Sequence, residues 1–187
     1  EQDELEIRET FLLGQREDLD KSQQALRNLI EKINHTSREL FEKVFNDIRA
    51  NFQIMFRKLF GGGKADILLE ENVDILEAGI EIIAQPPNKE LRSITLLSGG
   101  EKVMTTVSLL FAVFQSKPSP FCILDEVDAA LDESNIKRFG LIVKEFTKDT
   151  QFLIITHNKV TMSVADVMYG ITMQEPGVSK KIAVKFE

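Results

Sequence analysis

The first 60 residues form a stretch that is compatible with little other than a long helix. The stretch contains no proline and one glycine, Gly14, and these two residue types are the ones that most disfavour a helix interior. Apolar side chains recur at an interval of seven residues, at Leu5, Leu12, Leu19, Leu26, Ile33 and Leu40. That interval is the spacing of one seam position in a coiled coil. The sequence therefore predicts a long helix whose early part pairs with another helix.

The apolar stripe becomes wider after Leu40. Before that point the second seam position is mostly polar, with Arg8, Gln15, Ser22, Leu29 and Thr36. Beyond it, apolar residues recur closely, at positions 41, 44, 45, 48, 52, 55, 56 and 59. A wide stripe is typical of a helix that packs on a globular core. The alternative is a helix lying on its own domain throughout, but residues 1–40 lack the second stripe that this packing needs. We therefore divide the chain into a neck helix, residues 1–59, and a lobe, residues 60–187.

The composition limits the class of protein. A chain of 187 residues with 43% hydrophobic residues can form a globular core. Its net charge of -7 excludes a uniformly basic surface, although a local basic patch is compatible with it. The single cysteine, Cys122, forms no disulfide within the chain and fits a reducing compartment. No apolar run is long enough to cross a bilayer, and no signal peptide precedes the helix. We expect a cytoplasmic piece, starting at Glu1, of a longer protein.

Helices and buried strands alternate in the second half of the chain. The glycines at 61–63 end the first helix. Strands are predicted at 65–69, 79–84, 120–124, 151–156, 167–173 and 180–186, with a turn at Pro176 and Gly177 before the last one. Helices are predicted at 99–115, 132–146 and 158–165. This alternation indicates an α/β fold with a partly parallel sheet.

The glycines at 61–63 and Lys64 do not form a Walker A phosphate-binding loop. That loop needs a glycine where Lys58 stands and a hydroxyl residue where Ala65 stands. It also follows a strand and opens a helix, whereas this segment follows a helix and opens a strand. If the chain comes from a nucleotide hydrolase, its sheet lacks the Walker A strand, and we expect an exposed apolar edge and face.

Two acidic residues end the predicted strand at 120–124. Asp125 at a strand end can hold Mg²⁺, often through water, and Glu126 beside it can orient or deprotonate an attacking water. The alternative is a strand that simply ends in solvent with two acids. His157 follows the next buried strand, and by itself a histidine there is more often an incidental surface residue than a functional one.

A second set of candidate residues opens the helix at 99–115. Ser98, Gly99 and Gly100 would present a hydroxyl and free backbone N–H groups to an anion. The alternative is a capping box, in which Glu101 bonds back to Ser98; the two interpretations are compatible. Asp132 is a candidate cap of the next helix, as is Ser134, and Asp132 could instead reach across an interface.

The order and spacing of these pieces resemble the C-terminal half of an ABC-type ATPase head, with signature motif, Walker B, D-loop and histidine switch. Because the chain enters this lobe through a long helix, it is similar to the structural maintenance of chromosomes (SMC) family, in its bacterial chromosomal branch. The similarity runs from about residue 40 to the end and rests on "LFGGGKADILL", "GIEIIAQPPNK", "LLSGGEK", "PFCILDEVDAALDESN", "QFLIITHNK" and "ADVMYGITMQEPGVSK". Asn158 departs from it, since a basic residue is expected there.

The resemblance implies a role for each candidate residue. Asp125 would bind Mg²⁺, Glu126 would position the attacking water, and His157 would sense the γ-phosphate of ATP. Asp132 would bridge two engaged heads. The signature residues would bind ATP held on the opposite head: Ser98, Gly99, Gly100 and Glu101.

The resemblance also implies partners. They are the N-terminal half of the same head, which carries Walker A, a second SMC head, a kleisin subunit and, for the full protein, DNA bound without sequence specificity. The implied function is ATP-driven chromosome organisation, condensation and segregation at the nucleoid. Two alternatives are a DNA-repair ATPase of the Rad50 or RecN type and a non-catalytic interaction scaffold.

Overall fold

A computed structural model describes residues 2–185, apart from the side chains of residues 4 and 5. The predicted long helix is α1, Gln2–Phe60, which spans about 88 Å at 1.5 Å per residue. The side chains of the seven-residue stripe are exposed from Leu12 to Leu40, and Leu5 lies outside the described side chains. None of the helices in the described residues is long and apolar enough to cross a membrane.

The chain divides into two compact units, and the division falls within α1. One unit contains the residues up to Phe45 together with Asn72–Ala78, and the other contains Asn46–Glu71 and Gly79 onward. Within the first unit, the Arg38 guanidinium donates two hydrogen bonds to Asp74 and holds the pKa of that carboxyl below its usual value. The division into a neck helix, residues 1–59, and a lobe, residues 60–187, stays a prediction.

The glycines at 61–63 end α1, as predicted. All three adopt positive φ, of 71° at Gly61, 150° at Gly62 and 80° at Gly63. At Gly63 a Cβ would lie 2.3 Å from the carbonyl oxygen of Gln85, so any other residue would clash with that backbone. The glycine run therefore both stops the helix and lets the chain turn closely into the first strand.

The strands form three separate sheets in the described residues rather than one. Strands β1 (Lys64–Leu69), β2 (Ile80–Gln85) and β3 (Arg92–Ser93) pair antiparallel. Strands β4 (Phe121–Asp125) and β5 (Gln151–Ile155) pair parallel. Strands β6 (Val167–Glu175) and β7 (Val178–Lys185) form an antiparallel hairpin around the predicted turn. The helices are α2 (Gly99–Ser116), α3 (Glu133–Phe146) and α4 (Lys159–Met162).

The expectation of a partly parallel sheet is met by one pair alone in the described residues. Strands β4 and β5 run parallel because α3 carries the chain back between them, whereas Pro176 and Gly177 alone join the antiparallel strands β6 and β7. Strand β3 and the 3₁₀ turn at Ile94–Leu96 lie between the strand predicted at 79–84 and the helix predicted at 99–115. They were not predicted, because two strand residues are too few to show periodicity. Helix α4 is shorter than the predicted 158–165, since the chain after it forms tight turns closed at Val164 and Ala165. Of the last predicted strand, residue 186 lies outside the described residues.

The core of the second unit lies on one face of the β4–β5 pair. It is formed by side chains from the end of α1, from α2, from β4 and from α3: Met55, Leu59, Met104, Val107, Phe111, Cys122, Leu124, Phe139, Ile142 and Val143. The wide stripe of α1 enters this unit as predicted, with Phe52, Phe56 and Leu59 fully buried. Burial also raises the pKa of the Cys122 thiol.

Candidate active site

Asp125 and Glu126 lie where β4 ends, and the backbone there is unusual. The Glu126 N–H donates to the Ile155 carbonyl at 2.9 Å, which extends the strand pairing by one residue. Glu126 then adopts a left-handed conformation with φ of 47°, which costs a residue other than glycine about 1 kcal/mol. This turn ends the strand and leaves the Asp125 and Glu126 side chains exposed at the edge of the sheet.

His157 follows β5 and lies beside Glu126. Its Nδ1 is 3.8 Å from Glu126 Oε1, and the two side chains are 76% and 62% exposed. That separation is too long for a hydrogen bond but keeps the imidazole within the field of the carboxylate. The structure therefore brings together three of the predicted site residues, Asp125, Glu126 and His157, at the carboxyl ends of two parallel strands, where α/β proteins commonly place ligands.

A buried carboxylate connects the two loops that carry Glu126 and His157. Asp128 is 2% exposed and accepts hydrogen bonds from the Thr156 hydroxyl at 2.6 Å and from the Thr161 hydroxyl. Sequence reasoning missed all three residues. The signal was weak, because an acid next to Val127 and Ala129 cannot be told from a solvent-exposed acid without knowing which side of the turn it occupies.

Ser98 and Glu101 form the start of α2 largely as the capping interpretation predicts. Glu101 Oε2 accepts from the Ser98 N–H at 3.1 Å and from the Ser98 hydroxyl at 2.6 Å. Lys89, also missed from sequence, places its Nζ 2.8 Å from the other Glu101 oxygen. Lys89 first and Ser98 second lower the pKa of Glu101 to about 2. The Ser98 hydroxyl is thus directed toward Glu101, and contact with an anion would require it to rotate.

The two glycines after Ser98 differ in their surroundings. A Cβ at Gly99 would meet nothing within 4 Å among the atoms of the structure, whereas a Cβ at Gly100 would lie 2.7 Å from the Ala130 carbonyl oxygen. Gly99 therefore borders open space at the N-terminus of α2, the end of a helix at which anions bind. Gly100 permits the loop after β4 to pack closely on the same helix.

Asp132 is the N-cap of α3, which decides between the two predicted caps. Its Oδ1 accepts from the Asn135 N–H at 2.8 Å and its Oδ2 from the Asn135 side-chain amide at 3.1 Å. Both carboxylate oxygens are thus engaged within the chain. Among the described contacts, neither Asp132 nor the Ser98–Glu101 group bonds to Glu126 or His157, so the predicted site residues fall into separate groups.

The donor set fits a magnesium nucleotide better than a metal site made by protein alone. Within residues 2–185 there is no cluster of three or more His, Cys, Asp or Glu side chains able to hold a metal ion. Mg²⁺ commonly binds through one or two carboxylates together with substrate phosphates and water. The single exposed carboxylate of Asp125 fits that arrangement.

A family model described as the RecF/RecN/SMC N terminal domain matches residues 7–180. The chain belongs to this RecF/RecN/SMC family. "Chromosome partition protein Smc" of Rhodopirellula baltica is 51% identical over the whole of this chain. The chain spans 16% of the length of that relative. The Smc of Bacillus subtilis is 50% identical over 95% of this chain, which spans 15% of it.

Solved SMC heads share the fold. The Pyrococcus furiosus Smc head domain with an extended coiled coil, crystallised with the C-terminal domain of ScpA, is 37% identical with a TM-score of 0.80, and the match covers 96% of this chain and 45% of that one. Another match, from work on ATP-driven dimerization and DNA-stimulated activation of SMC ATPases, is 39% identical with a TM-score of 0.71 and covers 79% of this chain and 89% of that one. The α/β head fold and the family are thereby confirmed. The predicted C-terminal position within the head is not confirmed, because the matching family model is described as an N-terminal domain.

Proposed function

We propose that this chain is the half of an SMC ATPase head that lacks Walker A, and that it hydrolyses ATP only when joined to the Walker A half and to a second head. The observation that carries the proposal is the group of Asp125, Glu126 and His157 at the ends of β4 and β5, with Glu126 held in a strained backbone conformation beside His157. Backbone strain at a polar residue is frequent at functional sites.

The open face of the β4–β5 pair supports a missing half. Its strand register places Ile123 beside Leu153 and Asp125 beside Ile155 on the side away from the core. Four apolar side chains there are more than half exposed: Phe121, Ile123, Leu153 and Ile155. Parallel sheets are normally covered on both faces. We infer that the Walker A half covers this face, and Asp125 would then project toward the bound nucleotide.

The order of elements supports the C-terminal position within the head. The neck, residues 1–59, precedes the lobe, residues 60–187, and the lobe has no segment that satisfies the Walker A pattern. When a coiled-coil arm separates the two halves of a head in sequence, the second helix of the arm leads into the C-terminal half. That half therefore begins with a neck helix and continues into a lobe. Mixing the chain with the separately produced Walker A half tests this position.

The proposed chemistry assigns each group a limited task. Asp125 would bind Mg²⁺, which supplies charge neutralisation on the ATP phosphates. Glu126 would hold the attacking water and accept its proton, and His157 would hydrogen-bond the γ-phosphate. Part of the catalytic effect would come from preorganisation, because the strained turn holds the Glu126 carboxylate at the strand end without further movement.

The start of α2 would serve the nucleotide held by the opposite head. Ser98, Gly99 and Gly100 would bind its γ-phosphate through backbone N–H groups at a helix N-terminus, and Glu101 would stiffen that turn. Asp132 would lie at the junction of the two heads. Loss of the γ-phosphate contact after hydrolysis would let the heads separate.

The partners follow from this assignment. The exposed seven-residue stripe of α1 supports a coiled coil with the other strand of the arm. A kleisin subunit is a further proposed partner; heads of similar fold were crystallised with ScpA domains. DNA would be bound non-specifically by the full protein, at the nucleoid in the cytoplasm, and its role would be in chromosome partition. Two pairs of adjacent basic residues, Arg57–Lys58 at the end of α1 and Lys180–Lys181 in β7, are partly engaged within the chain, since Lys58 bonds Glu145 and Lys180 bonds Gln174.

Substitution Glu126→Gln in the full protein tests the proposal. We expect ATP turnover to fall about 100- to 10,000-fold, the range for loss of a general base, while ATP-dependent pairing of heads persists. Glu145→Gln, an exposed acid elsewhere in the lobe, is the control and should leave turnover unchanged. Unchanged turnover in the Glu126 variant would refute the catalytic role and favour a scaffold.

A further inference from the structure

Asp128 is a buried acid that none of the proposed ATPase roles uses. It lies two residues after Glu126, and the Ala129 N–H donates to the Glu126 carbonyl at 3.2 Å, so Asp128 is enclosed in the turn that Glu126 begins. Its side chain points into the protein and is 2% exposed. A carboxylate buried to this degree is costly unless hydrogen bonds satisfy it, and its two described donors are the Thr156 and Thr161 hydroxyls.

These two donors, Thr156 and Thr161, lie on either side of His157 in the sequence. Thr156 precedes His157, and its hydroxyl donates to Asp128 at 2.6 Å while accepting from the Asn158 N–H at 2.9 Å. Asn158 in turn caps α4 by accepting from the Val160 N–H at 2.9 Å. Thr161, within α4, donates to the same Asp128 oxygen as Thr156. The backbone on either side of His157 is therefore connected to a single carboxylate oxygen.

The imidazole itself is weakly held. It is 76% exposed, and its described side-chain partner is the Glu126 carboxylate at 3.8 Å. The position of the imidazole is therefore set by the backbone of its loop. Asp128 holds this loop through its carboxylate and is itself part of the turn that begins at Glu126. The positions of the Glu126 and His157 side chains therefore both depend on Asp128.

We propose that Asp128 is a positioning residue that couples the Glu126 turn to the His157 loop and keeps the two side chains in register for hydrolysis. This inference rests on the proposed function. Because a displacement of about 1 Å at a reacting group can cost about 100-fold in rate, loss of the connection should lower kcat and leave ATP binding nearly intact. Groups that orient metal ligands from behind contribute about 10- to 100-fold, and we expect an effect of the same size from Asp128.

The experiment uses the full protein with Asp128→Ala, Thr161→Val and Thr161→Ser. We expect kcat to fall about 10- to 100-fold in the first two variants, with KM for ATP changed little, and the serine variant to recover most of the rate because it keeps the hydroxyl. Thr150→Val is the matched control. Thr150 is equally buried, at the opposite end of β5, and its hydroxyl donates to the Ser119 carbonyl at 2.7 Å.

A second readout separates positioning from general loss of stability. In hydrogen exchange followed by mass spectrometry, the peptide that includes Asn158 should exchange faster in the Asp128 and Thr161→Val variants and at the normal rate in Thr150→Val. If Asp128→Ala fails to fold, the comparison of kcat between Thr161→Val and Thr161→Ser tests the inference by itself. Full kcat in Thr161→Val, or equal loss in the valine and serine variants, would overturn the inference. A Glu126→Gln protein that still hydrolyses ATP would instead overturn the proposed function.

Discussion

The two faces of the β4–β5 pair have similar apolar composition and opposite surroundings. On one face Cys122 and Leu124 are buried against α2 and α3, and on the other Ile123 and Leu153 are more than half exposed. Asp125 belongs to the exposed face by its register. The comparison shows that helices cover one face of the sheet, whereas the face that carries Asp125 exposes apolar side chains, as a protein interface does.

Truncating adjacent residues on the two faces tests this difference most strongly. Leu124→Ala removes a side chain from the core and should lower the free energy of unfolding by about 2–5 kcal/mol. Ile123→Ala, the matched change on the open face, should alter the stability of the chain alone by less than about 0.5 kcal/mol. Chemical denaturation of both variants measures the difference. Equal losses would mean that the open face is covered within the chain itself.

Placing a charge on the open face should prevent assembly. Leu153→Asp would put a carboxylate into the proposed interface, where an unpaired charge costs at least about 3 kcal/mol, so binding of the Walker A half should weaken more than about 100-fold. Leu141→Asp, at an exposed leucine of α3 outside this face, is the control. Titration calorimetry with the Walker A half measures both. Wild-type affinity in the Leu153 variant would place the interface elsewhere.

The start of α2 should respond to acid by a smaller amount. The pKa of Glu101 is lowered from 4.5 to about 2 by Lys89 and then Ser98, so its contribution is present above pH 4.5 and is lost as pH falls toward about 2. Because Lys89 is largely exposed, we expect about 1 kcal/mol. Glu101→Gln should remove this part of the acid dependence in thermal unfolding scans. An identical pH profile in the variant would show that the pair contributes nothing to stability.

Much of the fold could be predicted from the sequence because its signals are local. The absence of proline up to residue 60, the three glycines after it and the apolar runs at 121–124 and 151–155 fix elements through backbone sterics and periodicity. Strand β3 could not be found, because Arg92 and Ser93 pair only through tertiary contact. Separation into three sheets also has no local signal.

The site was predictable only in its exposed part. Asp125, Glu126 and His157 stand at strand ends, where the pattern of the chain points to them. Asp128, Thr156 and Thr161 act through contacts between segments distant in sequence, and nothing in their immediate neighbours distinguishes them. Lys89 was missed for the same reason, since a turn and a short strand separate it in sequence from its partner Glu101.

ATP hydrolysis by this chain, first alone and then mixed with the separately produced Walker A half, tests the central claim most directly. The account predicts no turnover by the chain alone and turnover on mixing that disappears with Glu126→Gln. Turnover by the chain alone would mean that it holds a complete phosphate site, and would contradict the division of the ATPase site between the two halves of the head.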